Sequence, residues 1–264
     1  MDPDEKFMRM ALRAARRGVG RTSPNPPVGA ILVRGGRVLA RGWHRKAGGA
    51  HAEVEALRAA AKAGLRIRGA TIYVTLEPCS TAGRTPACTG ALIAAGLARV
   101  VYGARDPNPK HAGRADRILR AAGLEVRPGV LGEECGELIR SFARWVTAGR
   151  PWVIAKLGMT LDGRLTLPAG EGRWITSEES RADAMRWRAR CDAVLVGAGT
   201  VRADNPRLTV RGLPGGRQPW RVVMAGRGVL PRDAALFTVE WLERSLVYRR
   251  QTAVAVVVDL GRLG

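Results

Sequence analysis

The sequence predicts an α/β fold in two successive domains, residues 1–148 and 151–264. Three observations carry that expectation. Short apolar runs of strand length alternate with stretches whose apolar residues recur at helical spacing, a pattern that implies a sheet covered on both faces. Ala148-Gly-Arg-Pro151 reads as a linker, after which the alternation restarts. Hydrophobic residues make up 46 % of the 264, a globular composition rather than a disordered one.

In the first domain, Phe7, Met8, Ala11, Leu12 and Ala15 place a helix over Glu5–Gly18, with arginines on its other face. The following loop, Thr22-Ser-Pro-Asn25-Pro-Pro-Val-Gly29, is stiffened by its three prolines. That stiffness is turn punctuation, or it holds the Asn25 amide for a base-like ring. Val28–Val33 and Arg37–Trp43 read as strands joined by the hairpin signal Arg34-Gly-Gly36, and His44 follows the second. Next come a helix over Ala52–Ala63, a strand over Ala70–Leu76, a Gly/Pro-rich loop and a helix over Cys88–Ala95. A strand Arg99–Ala104, the turn Asp106-Pro-Asn108-Pro, a helix Ala115–Ala122, a strand Leu124–Arg127 and a helix Glu133–Thr147 complete the unit.

The second domain opens with a strand over Trp152–Leu157 and a turn at Leu161-Asp-Gly163. Ser177 is suited to cap a helix Glu178–Arg190, whose first turn carries Glu178 and Glu179 near its positive end. Ala193–Gly197 reads as a buried strand running into a glycine-containing turn, Gly197-Ala-Gly199-Thr200. Val222–Met224, Ser245–Tyr248 and Ala253–Val258 are further strands.

The formal charge of +21 raises nucleic-acid binding. The basic residues, nearly all arginine, are scattered through both halves without the aromatic interleaving of a single-strand groove. They fit a solvated basic surface around a small anionic substrate, with salt-sensitive sticking to nucleic acid but no specific nucleic-acid partner. Four cysteines, two of them in a metal pattern, exclude a disulfide scaffold, while Cys135 and Cys191 read as small core residues. A polar N-terminus and the absence of a long apolar run exclude a membrane span and point to the cytoplasm. An open sheet edge in the second domain would allow homo-oligomers.

The chemistry concentrates at His51-Ala-Glu53 and at Cys79 and Cys88. A lone His-x-Glu is usually surface helix, and two such cysteines are usually unrelated. Together they supply one imidazole, two thiols and a carboxylate, the parts of a catalytic zinc site that keeps one position for water. Both His51 and Cys88 open helices, where backbone N–H groups lower a thiol pKa. Glu53 is then the proton carrier for hydroxide attack on an amidine-like ring carbon with loss of ammonia. This His-x-Glu…Pro-Cys…Cys order resembles that of zinc nucleobase deaminases.

The longer loop between the cysteines, with Gly-Arg-Thr-Pro before the second, resembles the bifunctional riboflavin-biosynthesis enzymes, which join a pyrimidine deaminase to a pyrimidine reductase. Pro-Asn25-Pro-Pro-Val-Gly, His51-Ala-Glu-Val, Thr-Leu-Glu-Pro-Cys, Asp106-Pro-Asn108-Pro, Leu161-Asp-Gly, Trp174-Ile-Thr-Ser and Ala203-Asp-Asn-Pro carry the resemblance as far as about Arg211. It implies a cytidine-deaminase-like three-layer α/β/α domain followed by a dihydrofolate-reductase-like α/β domain. It further implies deamination of 2,5-diamino-6-(phosphoribosylamino)pyrimidinone, then NADPH-dependent reduction of the ribosyl group.

Carried over by motif, His51, Cys79 and Cys88 hold zinc and Glu53 shuttles protons. Asn25, His44, Arg84, Asp106 and Asn108 contact the pyrimidine or its ribose phosphate. In the second domain Gly158, Trp174, Thr200 and Asp204 match NADPH positions. Lys156, Arg188, Leu208 and Arg211 match substrate positions. Two features depart from the family. Thr81 and Ala82 stand where larger residues, including a histidine, are common, and the family's late Glu-Gly-Gly loop has no counterpart before Gly264. The second departure implies an incomplete reductase domain and an impaired reduction step. The competing reading is a zinc deaminase acting on a nucleotide or tRNA base.

Overall fold

The computed structural model describes residues 2–81, 86–109, 111–165, 167, 174–227, 229–238, 242–251 and 254–259. The chain divides into two compact units, Met1–Ile154 and Ala155–Gly264.

The first unit opens with helix α1 (Pro3–Ala15), capped by the Asp2 side chain, which accepts from the Asp4 N–H at 2.9 Å. Five strands follow: β1 (Gly29–Arg34), β2 (Arg37–Trp43), β3 (Thr71–Leu76), β4 (Arg99–Ala104) and β5 (Glu125–Arg127). They form one sheet in the order β2-β1-β3-β4-β5. β1 runs antiparallel to both its neighbours, and β3, β4 and β5 run parallel. Gly35 and Gly36, both with positive φ, close the expected β1–β2 hairpin.

Helices α2 (Ala52–Lys62), α3 (Cys88–Ala94), α4 (Arg114–Ala121), α5 (Gly132–Leu138) and α6 (Arg140–Ala148) complete the unit. Two glycines let helices lie close against opposite faces of the sheet. A Cβ at Gly29 would fall on the backbone of Ala11 in α1, and one at Gly42 on that of Ala52 and Ala56 in α2. Gly29 pairs with Trp43 across β1 and β2, so Gly29 and Gly42 point to opposite sides. The packing of α2 on β2 fixes the helix whose first turn carries His51 and Glu53. Ile31, Leu32, Ile72, Val74, Val100 and Leu119 are fully buried in the core of this unit.

A buried ion cluster joins the ends of α1, β4 and β5. The Asp4 carboxylate, 4 % exposed, receives two N–H groups from Arg99 at 2.8 and 2.9 Å and the Tyr73 hydroxyl at 2.7 Å. Arg127 pairs with it as well. Hydrogen bonds from Arg99 above all, with Tyr73 and Arg127, hold Asp4 at about 2, well below the ordinary carboxylate range.

The helix expected over Glu133–Thr147 is two helices. Ile139, with φ −105° and ψ 13°, leaves helical geometry and ends α5 before α6 begins. Its side chain is 2 % exposed, so burial in the core takes precedence over helical continuity.

The second unit contains α7 (Glu178–Arg190), β6 (Ala193–Gly197), α8 (Ala198–Asp204), β7 (Trp220–Gly226), α9 (Ala235–Thr238), β8 (Ser245–Gln251) and β9 (Val254–Asp259). Its sheet has the order β6-β7-β8-β9, parallel up to the antiparallel last pair. Ser177 caps α7 as expected, accepting from the Ser180 N–H. The core is small, built from Val201, Val223, Leu230, Leu236, Val247 and a few alanines.

Three expectations are corrected here. Trp152–Leu157 is not a strand, because that apolar run has no ladder partner among the described residues, and Val153 and Leu157 are 79 % and 64 % exposed. Ala193–Gly197 is a strand but not a buried one, since its residues alternate between exposed and half-buried. The Gly197–Thr200 stretch is no free turn, because β6 runs straight into α8 with Gly197 as the cap residue. Cys135 is buried as expected, whereas Cys191 is half-buried at the end of α7.

Candidate metal centre and active site

The carboxyl ends of β3 and β4, together with the first turns of α2 and α3, converge on one place. His51 is the cap residue of α2 and Cys88 the first residue of α3, so two helix N-termini meet there. Nδ1 of His51 lies 3.2 Å from Sγ of Cys88 and 3.5 Å from Sγ of Cys79. The Cys88 N–H donates to Sγ of Cys79 at 3.2 Å, and the Thr89 N–H to the Cys79 carbonyl at 3.2 Å. The loop thus supplies partners for the free N–H groups at the start of α3.

The three donor atoms of His51, Cys79 and Cys88 all lie within 4.8 Å of one another. Zinc bonds of about 2.3 Å to sulfur and 2.0 Å to nitrogen in tetrahedral geometry would set such atoms roughly 3.5 Å apart. The observed spacing and donor types therefore fit a zinc ion. No fourth histidine, cysteine or carboxylate joins the group among the described residues, so the donor set is that of an open site.

The electrostatics agree. A hydrogen bond from the Cys88 thiol, with others from the Cys88 N–H and His51, holds Cys79 down at about 4. That same bond and burial push Cys88 up. The hydrogen bond to Cys79 raises His51. Glu53 is 3 % exposed; burial, and then the Cys79 thiolate, push its carboxyl up, as a proton carrier needs.

Asn25 and His44 meet beside this centre. Nδ2 of Asn25 lies 3.2 Å from Nε2 of His44, whose Nδ1 is 2.9 Å from the Ala50 carbonyl. The His44 and His51 rings stand edge to face with centroids 5.6 Å apart. Asp106 and Asn108 follow β4, the Asn108 N–H donating to Oδ1 of Asp106 at 2.9 Å. Burial raises the Asp106 pKa. Arg84 lies outside the described residues.

Two contacts escaped the sequence reading. Glu77, 3 % exposed, accepts three backbone N–H groups from the Asp106–Ala115 segment. Thr81 and His111 are joined by a 3.1 Å contact between Oγ1 and Nδ1. Glu77 stands inside the Thr-Leu-Glu-Pro-Cys motif, but its partners are remote in sequence, so only the motif itself marked it.

In the second unit, Arg188 and Arg211 converge on Thr209. The first donates to its carbonyl at 2.8 Å and the second to its hydroxyl at 3.3 Å. Burial, then the nearby Arg211 charge, lowers the Arg188 pKa. Leu208, next to Thr209 in the chain, is buried at φ +56°, a strained conformation for a branched side chain. Gly158 lies beside Lys156 and Thr176, a Cβ there coming 3.5 Å from atoms of each. Trp174 is 59 % exposed with the Arg181 guanidinium over its ring. Thr200 and Asp204 both lie on α8.

Comparison with known proteins gives matches along the chain. Residues 1–104 match the cytidine and deoxycytidylate deaminase zinc-binding region, and residues 151–260 the RibD C-terminal domain. The riboflavin biosynthesis protein RibD of Aquifex aeolicus is 43 % identical over 252 residues, which are 96 % of this chain and 70 % of that protein. That of Escherichia coli is 48 % identical over 208 residues, 79 % of this chain and 56 % of that protein. Among solved structures, a diaminohydroxyphosphoribosylaminopyrimidine deaminase/5-amino-6-(5-phosphoribosylamino)uracil reductase from Thermotoga maritima matches with TM-score 0.88 and 44 % identity. The match covers 96 % of this chain and 72 % of that one. Acinetobacter baumannii RibD matches with TM-score 0.84 and 40 % identity over 94 % of this chain and 70 % of that one. The chain thus spans 56–70 % of the length of these two curated relatives.

Proposed function

The chain belongs to the family of riboflavin biosynthesis protein RibD, with a cytidine-deaminase-like first domain and a RibD C-terminal, dihydrofolate-reductase-like second domain, and from that membership we propose a specific division of labour. The first unit hydrolytically deaminates 2,5-diamino-6-(phosphoribosylamino)pyrimidinone to the aminouracil. The observation that carries this reading is the convergence of His51, Cys79 and Cys88 around a shared position beside the buried Glu53.

His51, Cys79 and Cys88 would hold the zinc ion. Zinc, when bound, supplies Lewis acidity that lets water ionise near pH ~7 instead of about 15.7. Glu53 takes the proton from the attacking water at its carboxylate and returns it to the departing nitrogen. The ring carbon gains an oxygen, the C–N bond breaks and ammonia leaves. Burial raises the Glu53 carboxyl above its ordinary value, the direction that favours its holding the proton between the two transfers. Asn25, held by His44, presents its amide to the pyrimidine edge. Asp106 and Asn108 lie at the carboxyl end of β4, where a ribose phosphate would extend, and Arg84 adds the charge that a phosphate requires.

For the second unit we propose NADPH-dependent reduction of the ribosyl group. NADPH, when bound, supplies the hydride. Gly158, Trp174, Thr200 and Asp204 would hold it: Trp174 offers an exposed indole, and the first turn of α8 has no side-chain cap competing for its N–H groups. Arg188 and Arg211, gathered at Thr209, would take the substrate phosphate, with Leu208 and Lys156 beside the sugar.

The small-molecule substrate leaves the +21 charge as a solvated surface with no specific nucleic-acid partner. Free cysteines fit a reducing compartment, the cytoplasm. No helix among the described residues is long and apolar enough to cross a membrane. Among the described residues β6 pairs on one side only, an edge that a second copy could cover.

Incubating zinc-loaded chain with the diaminopyrimidine nucleotide tests the first step. Ammonia should be released without NADPH. No release at full zinc occupancy would overturn the deaminase assignment.

A further inference from the structure

Glu77 follows the last residue of β3 and stands two positions before Cys79. Its carboxylate is buried yet has no arginine or lysine within ion-pair distance among the described residues. Backbone donors surround it instead. Oε2 accepts from the Asp106 N–H at 3.2 Å and the Gly113 N–H at 3.1 Å, and Oε1 from the Ala115 N–H at 3.2 Å. Its own N–H donates to the Ala104 carbonyl at 2.8 Å, tying it to the end of β4.

These contacts grip both ends of the Asp106–Gly113 turn. Pro107 and Pro109 have no N–H, and the His111 and Ala112 N–H groups both go to the Asn108 carbonyl within the turn, so what ties the two ends of the turn to the end of β3 is the Glu77 carboxylate. The Asp106 N–H goes to Glu77 and the Asn108 N–H to the Asp106 carboxylate. The cap residue of helix α4 is Gly113, which has no side chain to accept from the first turn, and Glu77 supplies that cap from the end of β3.

We propose that Glu77 is a positioning residue that sets Asp106 and Asn108 at a fixed offset from the cysteine loop, and so governs how the substrate's ribose phosphate end is held. This rests on the reading of Asp106 and Asn108 as substrate contacts. Glu77 itself moves no proton in the reaction. Charge-assisted bonds from three amides to one carboxylate are stronger than neutral ones, so Asp106 and the start of α4 are held in place before substrate arrives. Glu77→Gln keeps the size of the side chain but replaces one acceptor with an N–H donor facing backbone N–H groups.

Zinc-loaded full chain carrying Glu77→Gln tests the proposal through steady-state ammonia release, metal analysis and amide hydrogen exchange. Zinc should stay at one per chain while kcat/KM falls by about 10²-fold, carried mainly by KM. Unchanged KM at equal zinc content would overturn it. In the unaltered chain the Asp106, Gly113 and Ala115 amides should exchange slowly; exchange as fast as in exposed loops would overturn it even if the variant failed to fold. An unaltered chain that released no ammonia would instead count against the deaminase reading, leaving the amide protection to be judged by itself.

Discussion

Asn25 and His44 fix each other's hydrogen-bonding direction: Nδ2 of the amide faces Nε2 of the ring at 3.2 Å. The Ala50 carbonyl, 2.9 Å from Nδ1, can only accept, so Nδ1 carries the ring proton and Nε2 accepts from Asn25. On the proposed function, the Asn25 carbonyl oxygen would accept from a pyrimidine amine or ring N–H. Asn25→Leu removes both the donor to Nε2 and that acceptor, leaving Nε2 without its partner. KM for the pyrimidine should rise by roughly 5- to 100-fold, the worth of one unsatisfied buried partner of about 1–3 kcal/mol.

The same ring makes stability depend on pH. Burial, the largest influence, lowers the His44 pKa below its ordinary 6.5. The unfolded chain therefore binds this proton first as pH falls. Stability is unaffected by His44 above about 6.5 and is lost progressively below it, until the folded state also takes up the proton. Denaturant unfolding at pH 8 and pH 5 should show the loss, and His44→Gln should reduce its slope. Equal slopes in the two proteins would remove His44 as the cause.

Glu53→Gln keeps the shape of the side chain and removes its proton traffic. Ammonia release should drop by about 10²–10⁴-fold with zinc still bound at one per chain. Loss of the metal together with the activity would mean that Glu53 supports the ligands instead.

Asp4→Asn tests the scaffold away from the chemistry. It removes the carboxylate that Arg99 and Arg127 share, while Glu125 and Asp2 still pair with them, so the cost is that of lost hydrogen bonds to a charged group, about 1.5–3 kcal/mol. With Asp4 held at about 2 against an ordinary 3.8, its contribution is full above pH ~4 and fades as pH falls toward 2. Thermal unfolding at pH 7 should show a large drop for the variant, and at pH 2 a smaller one.

Sequence made the metal centre readable because its parts sit at local signals: helix starts at His51 and Cys88, and a strand end before Cys79. Each is marked by neighbours only a few residues away. Glu77 was not readable as a clasp, since its three partners begin at Asp106 and are brought near only by the parallel pairing of β3 with β4. Nor did local pattern reveal that Trp152–Leu157 lacks a strand partner, because β propensity does not say whether a neighbouring strand exists. The break at Ile139 has the same origin: helical spacing continues through it, and only tertiary burial interrupts the helix.

Zinc-edge X-ray absorption on the metal-loaded chain measures the coordination directly. Two sulfurs at about 2.3 Å, one nitrogen at about 2.0 Å and one further light atom are expected from Cys79, Cys88, His51 and an exchangeable fourth position. A shell closed by four protein ligands, or one lacking either sulfur, would contradict a catalytic zinc site here.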